Sequence, residues 1–244
     1  MNKVYLYDGK FKSLIILIIE LLKFKIKPFN IKSESDYNAN LLDEIVFLKL
    51  NDANLKFLTK LPKSVLKVAN YVFLSNAESK EMIIFDFIKQ AFKYKNEVFR
   101  YRNIDSVNEA IKISRYVGSE AHKMKGFLRF KQINNKFYYA EFEATNNIIE
   151  ILAIHFKTRL SVEPWIIYDV KRKKYAIYDL KKIIYITEEE ALKLNLEIDS
   201  NEKEMEDLWK TFFKTIAIKE RKNLRCQMNF MPKKYWNHLI EMEK

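Results

Sequence analysis

The sequence has few of the residues that bend or interrupt a chain. Its 244 residues include only 3 glycines and 4 prolines, against 48% hydrophobic and 31% charged residues. This composition excludes collagen-like and low-complexity disordered classes and favours helices and strands joined by short loops in a globular protein. The scarcity of glycine also excludes a glycine-rich phosphate loop, a Gly-x-Ser-x-Gly nucleophile elbow and a dinucleotide-binding fingerprint.

Disulfides and membrane-spanning segments are missing as well. The single cysteine, Cys226, has no partner for an internal disulfide, which fits a reducing cytoplasm. The most apolar run, 14–22, is interrupted by Glu20 and falls far short of the roughly 20 residues that a bilayer requires. No signal peptide is visible ahead of it. We therefore expect a cytoplasmic protein that does not interact with a membrane.

The chain does have a large excess of positive charge. A formal net charge of +12 and a pI near 9.4 indicate an anionic partner, of which nucleic acid is the commonest. Part of the lysine excess is also expected from an AT-rich genome. Arginine is scarce, and where lysine is the default cation a guanidinium more often makes a forked contact to phosphate or carboxylate. The arginines are Arg100, Arg102, Arg115, Arg129, Arg159, Arg172, Arg221 and Arg225.

Hydrophobic periodicity predicts helices at both ends of the chain and strands in the middle. Strands are expected at 4–7, 44–50, 127–133, 137–143, 165–170, 175–180 and 183–186. Helices are expected at 11–25, 53–61, 63–74, 79–95, 107–125, 148–159, 201–214 and 220–229, with a last helix begun by Pro232 and a surface loop at 31–40. Capping boxes are expected at Ser106 with Glu109 and at Thr187 with Glu190.

The predicted architecture is α+β. It consists of a largely antiparallel sheet of about five strands with a crossing helix, flanked by N-terminal and C-terminal helices. We predict a single domain over 1–244. Within it, 1–125 forms a helical N-terminal part, 126–187 the sheet block, and 188–244 a helical, basic C-terminal part. The oligomeric state cannot be predicted.

The segment 120–130 joins the helical and sheet parts. Apolar residues recur every three or four positions before it and alternate after it, so we expect Gly126 to end a helix and Phe127 to open the sheet. The junction carries His122, one of three histidines, and the basic residues Lys123, Lys125 and Arg129, which we expect to contact phosphates. A histidine among basic groups at such a junction makes a plausible site.

Two histidines each have an arginine within reach on the same helix. Arg115 and His122 lie on one predicted helical face, and His155 and Arg159 are four residues apart on another helix. If the two helices line one cleft, these groups could hold a phosphate and transfer a proton. The alternative is that each histidine is structural.

The C-terminal third separates its charges. Six acids lie within 197–207, whereas 209–236 carries eight bases against one acid, a net +7 interleaved with aromatic residues. Such a segment suits phosphate neutralisation combined with base stacking, although the aromatic residues could equally be core and the bases solvated. Its candidates for nucleic-acid contacts are Trp209, Arg221, Lys233, Lys234 and Trp236.

Metal and acid-pair chemistry have weaker support. No His-x-x-x-His, Cys-x-x-Cys or Glu-x-x-His spacing occurs, so tertiary structure alone would have to assemble a site. Its ligands would come from Glu120, His122, Glu143, His155 and Asp169. Glu141 and Glu143 share a strand face and could act as a pair or simply face water. We expect neither a metal nor a cofactor.

Several segments resemble a known bacterial family. The matching segments are Tyr7-Asp8-Gly9-x-Phe11, Tyr71-Val72-Phe73-Leu74-Ser75, the junction from Glu120 to Phe130, His155-Phe156 with Arg159, Pro164-Trp165, Asp207-Leu208-Trp209-Lys210 and Met231-Pro232-Lys233-Lys234-Tyr235-Trp236. This is a family of unknown function whose members are labelled as DNA-metabolism or DNA-repair proteins.

The resemblance implies DNA repair or modification beside a radical-SAM protein. Some longer relatives are fused to a domain similar to uracil-DNA glycosylases, an activity not expected of this chain. The leading hypothesis is a DNA-binding protein with a basic cleft, in which His122 and His155 form a candidate proton-transfer pair. The alternatives are a noncatalytic adaptor that docks a partner protein and a nucleic-acid phosphoesterase.

Overall fold

The fold separates into two compact units, 1–118 (unit 1) and 119–244 (unit 2). The computed structural model describes residues 2–47, 61–133, 137–191, 202–218, 221 and 223–242, without the side chains of 202–205, 213 and 214. The single domain expected over 1–244 stays a prediction. The predicted α+β class is confirmed.

Unit 1 combines a small parallel sheet with helices. The sheet has the order β2-β1-β3, with β1 paired in parallel to both neighbours. Its strands are β1 (Asn2–Tyr7), β2 (Asn30–Ser33) and β3 (Asp43–Phe47). The helices that begin in this unit are α1 (Phe11–Lys23), α2 (Lys63–Phe73), α3 (Lys80–Tyr94) and α4 (Asp105–Phe127), the last of which crosses the boundary at Gly118.

Helix α1 forms the centre of unit 1. Every residue from Leu14 to Leu21 is buried, as expected of a helix that is apolar nearly all round. The chain enters α1 through Gly9, whose φ of 76° suits glycine, and the preceding Tyr7 donates a hydrogen bond to the buried carboxylate of Glu81 on α3.

Unit 2 is built on a five-stranded sheet in the order β4-β5-β6-β7-β8. Pairing is antiparallel except between β5 and β6, so the predicted, largely antiparallel sheet is confirmed. Its elements are β4 (Lys131–Ile133), β5 (Phe137–Phe142), α5 (Ile149–Arg159), β6 (Trp165–Asp169), β7 (Lys174–Tyr178), β8 (Ile183–Thr187) and α6 (Glu188–Ala191).

The parallel β5–β6 pair requires a crossover, which α5 provides. Helix α5 packs against β6 and β7 and buries Leu152, Ala153 and Phe156. Trp165, at the start of β6, has no exposed surface, and its indole N–H has no hydrogen-bond partner among the described residues. Beyond the sheet, the C-terminal part is helical as expected, with α7 (Glu202–Thr215), α8 (Leu224–Phe230) and 3-10 helices at Lys233–His238 and Ile240–Met242.

Three local predictions are wrong. The expected loop at 31–40 contains part of β2, which pairs with β1. Its alternate residues Ile31 and Ser33 are buried, as in a strand with one face on the core. Helix α4 continues through Gly126 to Phe127, and the sheet begins only at Lys131. The amide of Leu128 still bonds the carbonyl of Met124, and the Arg129 guanidinium donates to the carbonyl of Gly126 at 2.8 Å, so this segment extends the helix end instead of pairing with a strand.

The two predicted capping boxes differ in outcome. Helix α4 begins at Asp105, so Ser106 lies inside its first turn and not at its N-cap. At α6 the amide of Thr187 donates to Glu190 at 2.8 Å, which is the expected reciprocal bond. The helix expected at 53–60, the 134–136 hairpin connection and the acids at 197–201 lie outside the described residues.

Candidate functional site

A buried carboxylate, that of Glu120 on α4, holds the C-terminal segment in unit 2. Its oxygens accept hydrogen bonds from the amides of Thr145 and Asn146, from the Asn146 side chain, from Tyr235 Oη at 2.8 Å and from Lys234 Nζ at 3.2 Å. Burial alone would raise its pKa, but these bonds outweigh burial and lower the pKa to about 2. Glu120 is therefore charged at neutral pH and anchors the C-terminal segment.

The loop at 144–147 is held from its other side by Arg172. The guanidinium donates to the carbonyls of Ala144 and Thr145 and to the carboxylate of Asp169 at 3.1 Å. Asp169 has no exposed side-chain surface, and its burial raises its pKa despite the attraction of Arg172. Glu120 and Arg172 together leave this loop little freedom to move.

Arg129 forms a second junction with the C-terminal segment. Its Nε lies 3.2 Å from the carboxylate of Glu241, and Nη2 bonds the other oxygen of that group. The indole N–H of Trp209 donates to the same carboxylate at 3.0 Å, and the guanidinium lies 5.5 Å from the indole ring centre. Arg129 and Trp209, both predicted to bind nucleic acid, are thus brought together around an acid.

Two adjacent hollows share Arg129 and Ile240 in their walls. The larger, about 480 Å³, is also lined by Gly126, Phe130, Gln132, Tyr138, Glu206 and Trp209. The smaller, about 180 Å³, is also lined by Lys131, Tyr139, Ala140, Glu141, Asn237 and His238. Lys131 is paired with Glu206, so most charges around both hollows are balanced.

The smaller hollow contains the third histidine. His238 Nδ1 lies 3.3 Å from Glu141, whose other oxygen accepts a hydrogen bond from Tyr139 at 3.3 Å. The hydrogen bond with His238 lowers the pKa of Glu141, and burial together with Glu141 raises the pKa of Tyr139. Glu141 therefore pairs with a histidine, an arrangement that can hold or transfer a proton.

A group of basic side chains forms where the end of α4 lies close to α5. Edge-to-face contact of Phe130 with Phe156, at 4.9 Å between ring centres, joins the segment after α4 to α5. His155 is partly buried beside Phe156, and burial together with the charges of Lys125 and Arg159 lowers its pKa. The predicted His155–Arg159 pair is thus joined by Lys125 from the other helix. We call these three residues the basic triad.

The other predicted residues are placed around these groups. His122 is exposed on α4, and among the described residues no hydrogen bond or ion pair joins it to His155. Lys123 is partly buried, Arg221 is exposed, and Lys233 is exposed with its ammonium 5.9 Å from the centre of the Trp236 ring. The structure therefore divides the predicted residues mainly among three separate groups: Lys234 at Glu120, Arg129 with Trp209 at Glu241, and the basic triad. The nucleic-acid role of each predicted residue stays a prediction.

Neither a grouped metal site nor a membrane-spanning helix is found in the described part of the chain. No three His, Cys, Asp or Glu side chains of that part are grouped in a way that could hold a metal ion. No helix within the same residues has both the length and the apolar character needed to cross a bilayer.

Sequence reasoning missed Glu241 and His238. Both are acid–base residues near the end of the chain, and their partners lie 112 and 97 positions earlier. One signal is present in the sequence, because His238 lies two residues after Trp236, the end of the Met-Pro-Lys-Lys-Tyr-Trp segment, and Glu120 opens the junction. The structure joins these two segments, but neither spacing nor periodicity could show it.

Comparison with known proteins identifies a family but no activity. A family model described as a domain of unknown function, DUF4130, matches residues 78–241, about two thirds of the chain. No curated protein and no solved structure matches the chain. The matched region includes the junction, the basic triad and the Met-Pro-Lys-Lys-Tyr-Trp segment, whereas the Tyr7 and Tyr71 segments precede it. The expected membership of a family of unknown function is confirmed, whereas the DNA-repair label and the radical-SAM association stay predictions: the chain belongs to the DUF4130 family.

Proposed function

We propose that this chain binds DNA through a surface centred on the basic triad and serves a DNA repair or modification pathway with a radical-SAM partner. The observation that carries DNA binding is that the charges of Lys125 and Arg159 both act on the partly buried His155. The pathway and the partner follow from the family resemblance alone.

The triad has the chemistry of an anion site. Both charges that act on His155 are positive, and neither Lys125 nor Arg159 forms an ion pair with another described residue. Like charges held together repel each other until an anion neutralises them, and a phosphate is the anion that a guanidinium and an ammonium bind best. A DNA backbone across α4 and α5 would relieve this repulsion.

The remaining candidates divide into two kinds. Arg129 and Lys234 already bond Glu241 and Glu120, so we assign them to positioning of the C-terminal segment. Lys233 is exposed beside Trp236, where a charge and an aromatic ring together suit a phosphate and a base. We therefore assign phosphate contacts first to the triad and Lys233.

His155 is also the better candidate for proton transfer. Its lowered pKa keeps the imidazole neutral at physiological pH, the form that accepts a proton. His122 is exposed on the neighbouring helix and has no contact with His155 among the described residues. Any acid–base step near the DNA would therefore use His155 first.

Charge reversal at the triad tests DNA binding. We expect Lys125→Glu combined with Arg159→Glu to weaken binding of a fluorescent oligonucleotide about tenfold or more at low salt, because two phosphate contacts become repulsive. The slope of log affinity against log salt should fall in magnitude by about 2. Fluorescence anisotropy over a series of salt concentrations measures both quantities.

Lys174→Glu is the matched control, since Lys174 is an exposed lysine on β7 of the same unit. It should lower affinity only through net charge and leave the salt slope nearly unchanged. If the wild-type protein binds no DNA at low salt, the proposal fails and the adaptor hypothesis takes its place. Equal losses for Lys174→Glu and the double variant would also contradict a localised site.

DNA should also change the protonation of His155. A bound phosphate would neutralise the charges of Lys125 and Arg159, so we expect the pKa of His155 to rise when an oligonucleotide is added. NMR titration of the imidazole C–H resonances follows this change directly. His238, bonded to Glu141, serves as the internal reference. An unchanged His155 titration in the presence of bound DNA would place the phosphate elsewhere.

A further inference from the structure

Unit 1 contains a hollow that the proposed DNA surface does not use. It measures about 620 Å³, within the range of small-molecule sites, and lies between the C-terminal end of α1 and one side of α3. Its apolar lining consists of Ile19, Leu22, Ile26, Phe85 and Phe92. A cavity of this size and composition can hold an aliphatic chain of moderate length.

The remaining lining residues are all lysines. They are Lys23, Lys25, Lys27, Lys89 and Lys93. All five are exposed, and none forms an ion pair with another described residue. Lys89 and Lys93 are four residues apart on α3, a spacing at which like charges destabilise a helix. Five lysines in the lining of an apolar hollow are complementary to a molecule with an anionic head and an apolar body.

The described residues of the lining offer no neutral polar side chain to a nucleobase. Apart from the five ammonium groups, they carry no hydroxyl, amide, carboxylate or imidazole. A base buried there would leave the polar groups of its edge without hydrogen bonds, which is costly, whereas an alkyl chain has no such groups. The composition therefore favours an aliphatic body over a base or a sugar.

The backbone is strained at the rim of the hollow. Lys25 has a φ of 56°, and the amide of Ile26 bonds the carbonyl of Leu21 at 2.8 Å while that of Lys25 bonds Leu22. This is the Schellman ending of a helix, in which the left-handed position is usually glycine. A lysine at this position costs stability, and such strain occurs preferentially at functional sites.

From these observations we propose that unit 1 binds a single amphipathic anion, an aliphatic chain that ends in a carboxylate or phosphate. The chain occupies the hollow between α1 and α3, and the five lysines surround the head group. Binding is noncovalent and takes one molecule from solution rather than from a bilayer.

The test compares ligands of one chain length and different charge on the full-length protein. Isothermal titration calorimetry is carried out with laurate and dodecyl phosphate below their micellar concentrations, and with dodecanol and dodecyltrimethylammonium. We expect saturable binding of both anions, at least about tenfold weaker binding of the alcohol, and no binding of the cation.

Three variants locate the site. Lys89→Glu with Lys93→Glu should weaken laurate about tenfold or more, and Leu22→Trp should block all ligands by filling the hollow. Lys25→Gly should weaken laurate binding about threefold, because it removes a positive charge. It should also raise the melting temperature, because glycine adopts the positive φ of this position without strain. Lys95→Gly is its matched control: Lys95 has a φ of 50° and does not line the hollow, so laurate affinity should stay unchanged.

Several results would overturn the proposal. These are the absence of laurate binding to the folded wild-type protein, equal affinities for laurate and dodecanol, or laurate affinity that survives Leu22→Trp. Binding to phosphatidylglycerol vesicles without binding of monomeric laurate would point to a membrane surface instead. Displacement of laurate by an oligonucleotide, with DNA affinity reduced by Leu22→Trp, would make the hollow part of the DNA surface.

Discussion

Replacement of Glu120 by alanine is expected to lower the free energy of unfolding by about 4 kcal/mol, because it removes the shared acceptor of several buried or partly buried donors, each of which costs roughly 1–3 kcal/mol when left unsatisfied. The change would leave the amides of Thr145 and Asn146, the hydroxyl of Tyr235 and the ammonium of Lys234 without their shared acceptor. Urea denaturation of the variant and the wild type measures the difference.

Glu143→Ala is the control, because Glu143 is an exposed acid on the same unit and should change stability by less than about 0.5 kcal/mol. Acid titration gives a second check on Glu120. Its pKa falls from 4.5 in the unfolded chain to about 2 in the folded one. The resulting stability, about 3 kcal/mol, is complete above pH 4.5 and is lost as pH falls towards 2. The Glu120→Gln variant should not lose this stability as pH falls. If its stability depended on acid pH in the same way as that of the wild type, Glu120 would not be the group responsible.

Replacement of Arg172 by alanine is expected to cost about 3–4 kcal/mol at neutral pH, again because a buried charge loses its partner. The variant leaves the fully buried Asp169 unpaired and removes a donor from the carbonyls of Ala144 and Thr145. Thermal and urea unfolding measure the cost, and Arg159→Ala provides the control, because Arg159 is exposed.

The pH dependence distinguishes Asp169 from Glu120. The pKa of Asp169 is raised by burial in the folded state, so its native form binds a proton more tightly than the unfolded chain does. Without Arg172 this pKa should rise further, and the penalty should shrink as pH falls and Asp169 becomes neutral. Asp169→Asn should therefore restore part of the stability of Arg172→Ala at pH 7. A penalty that is independent of pH, with no rescue, would show that the lost carbonyl contacts dominate.

The regular elements could be predicted because their signals are local. The all-round apolar helix α1, the His155–Arg159 helix and the alternating strands of unit 2 carry periodicities that burial imposes within a dozen residues. The failures are also physical. Strand β2 has only four residues, too few to show a periodic pattern. Gly126 predicts a helix end, but the helix continues to Phe127, and the Arg129 guanidinium bonds the carbonyl of Gly126.

The site could be predicted only in part, because its contacts are distant in sequence. His155 and Arg159 are four apart and were found, and Lys125 joins them through tertiary packing. The ion pair of Arg129 with Glu241 spans 112 residues, and no spacing rule links such positions. Scarcity of arginine is the useful signal, since Arg129 makes the forked carboxylate contact that this scarcity indicates. Arg172 makes a single guanidinium bond to the Asp169 carboxylate and uses its remaining donors on two backbone carbonyls.

The segments that carry the family resemblance have structural partners in each other. Glu120 opens the junction and bonds Lys234 and Tyr235 of the Met-Pro-Lys-Lys-Tyr-Trp segment, and Trp209 shares Glu241 with Arg129. Shared motifs in such a family can thus reflect the need to hold the C-terminal segment on the sheet unit. The basic triad has no such structural role among the described contacts and is therefore the better place to look for function.

The distribution of tryptophan makes its fluorescence a probe of unit 2. All three indoles, Trp165, Trp209 and Trp236, belong to unit 2, and unit 1 has none. Selective excitation of tryptophan therefore reports on unit 2 alone, with the fully enclosed Trp165 contributing a blue-shifted component that iodide cannot quench. Both units contribute to circular dichroism. If the melting curves from tryptophan fluorescence and circular dichroism do not coincide, the two units unfold in separate steps.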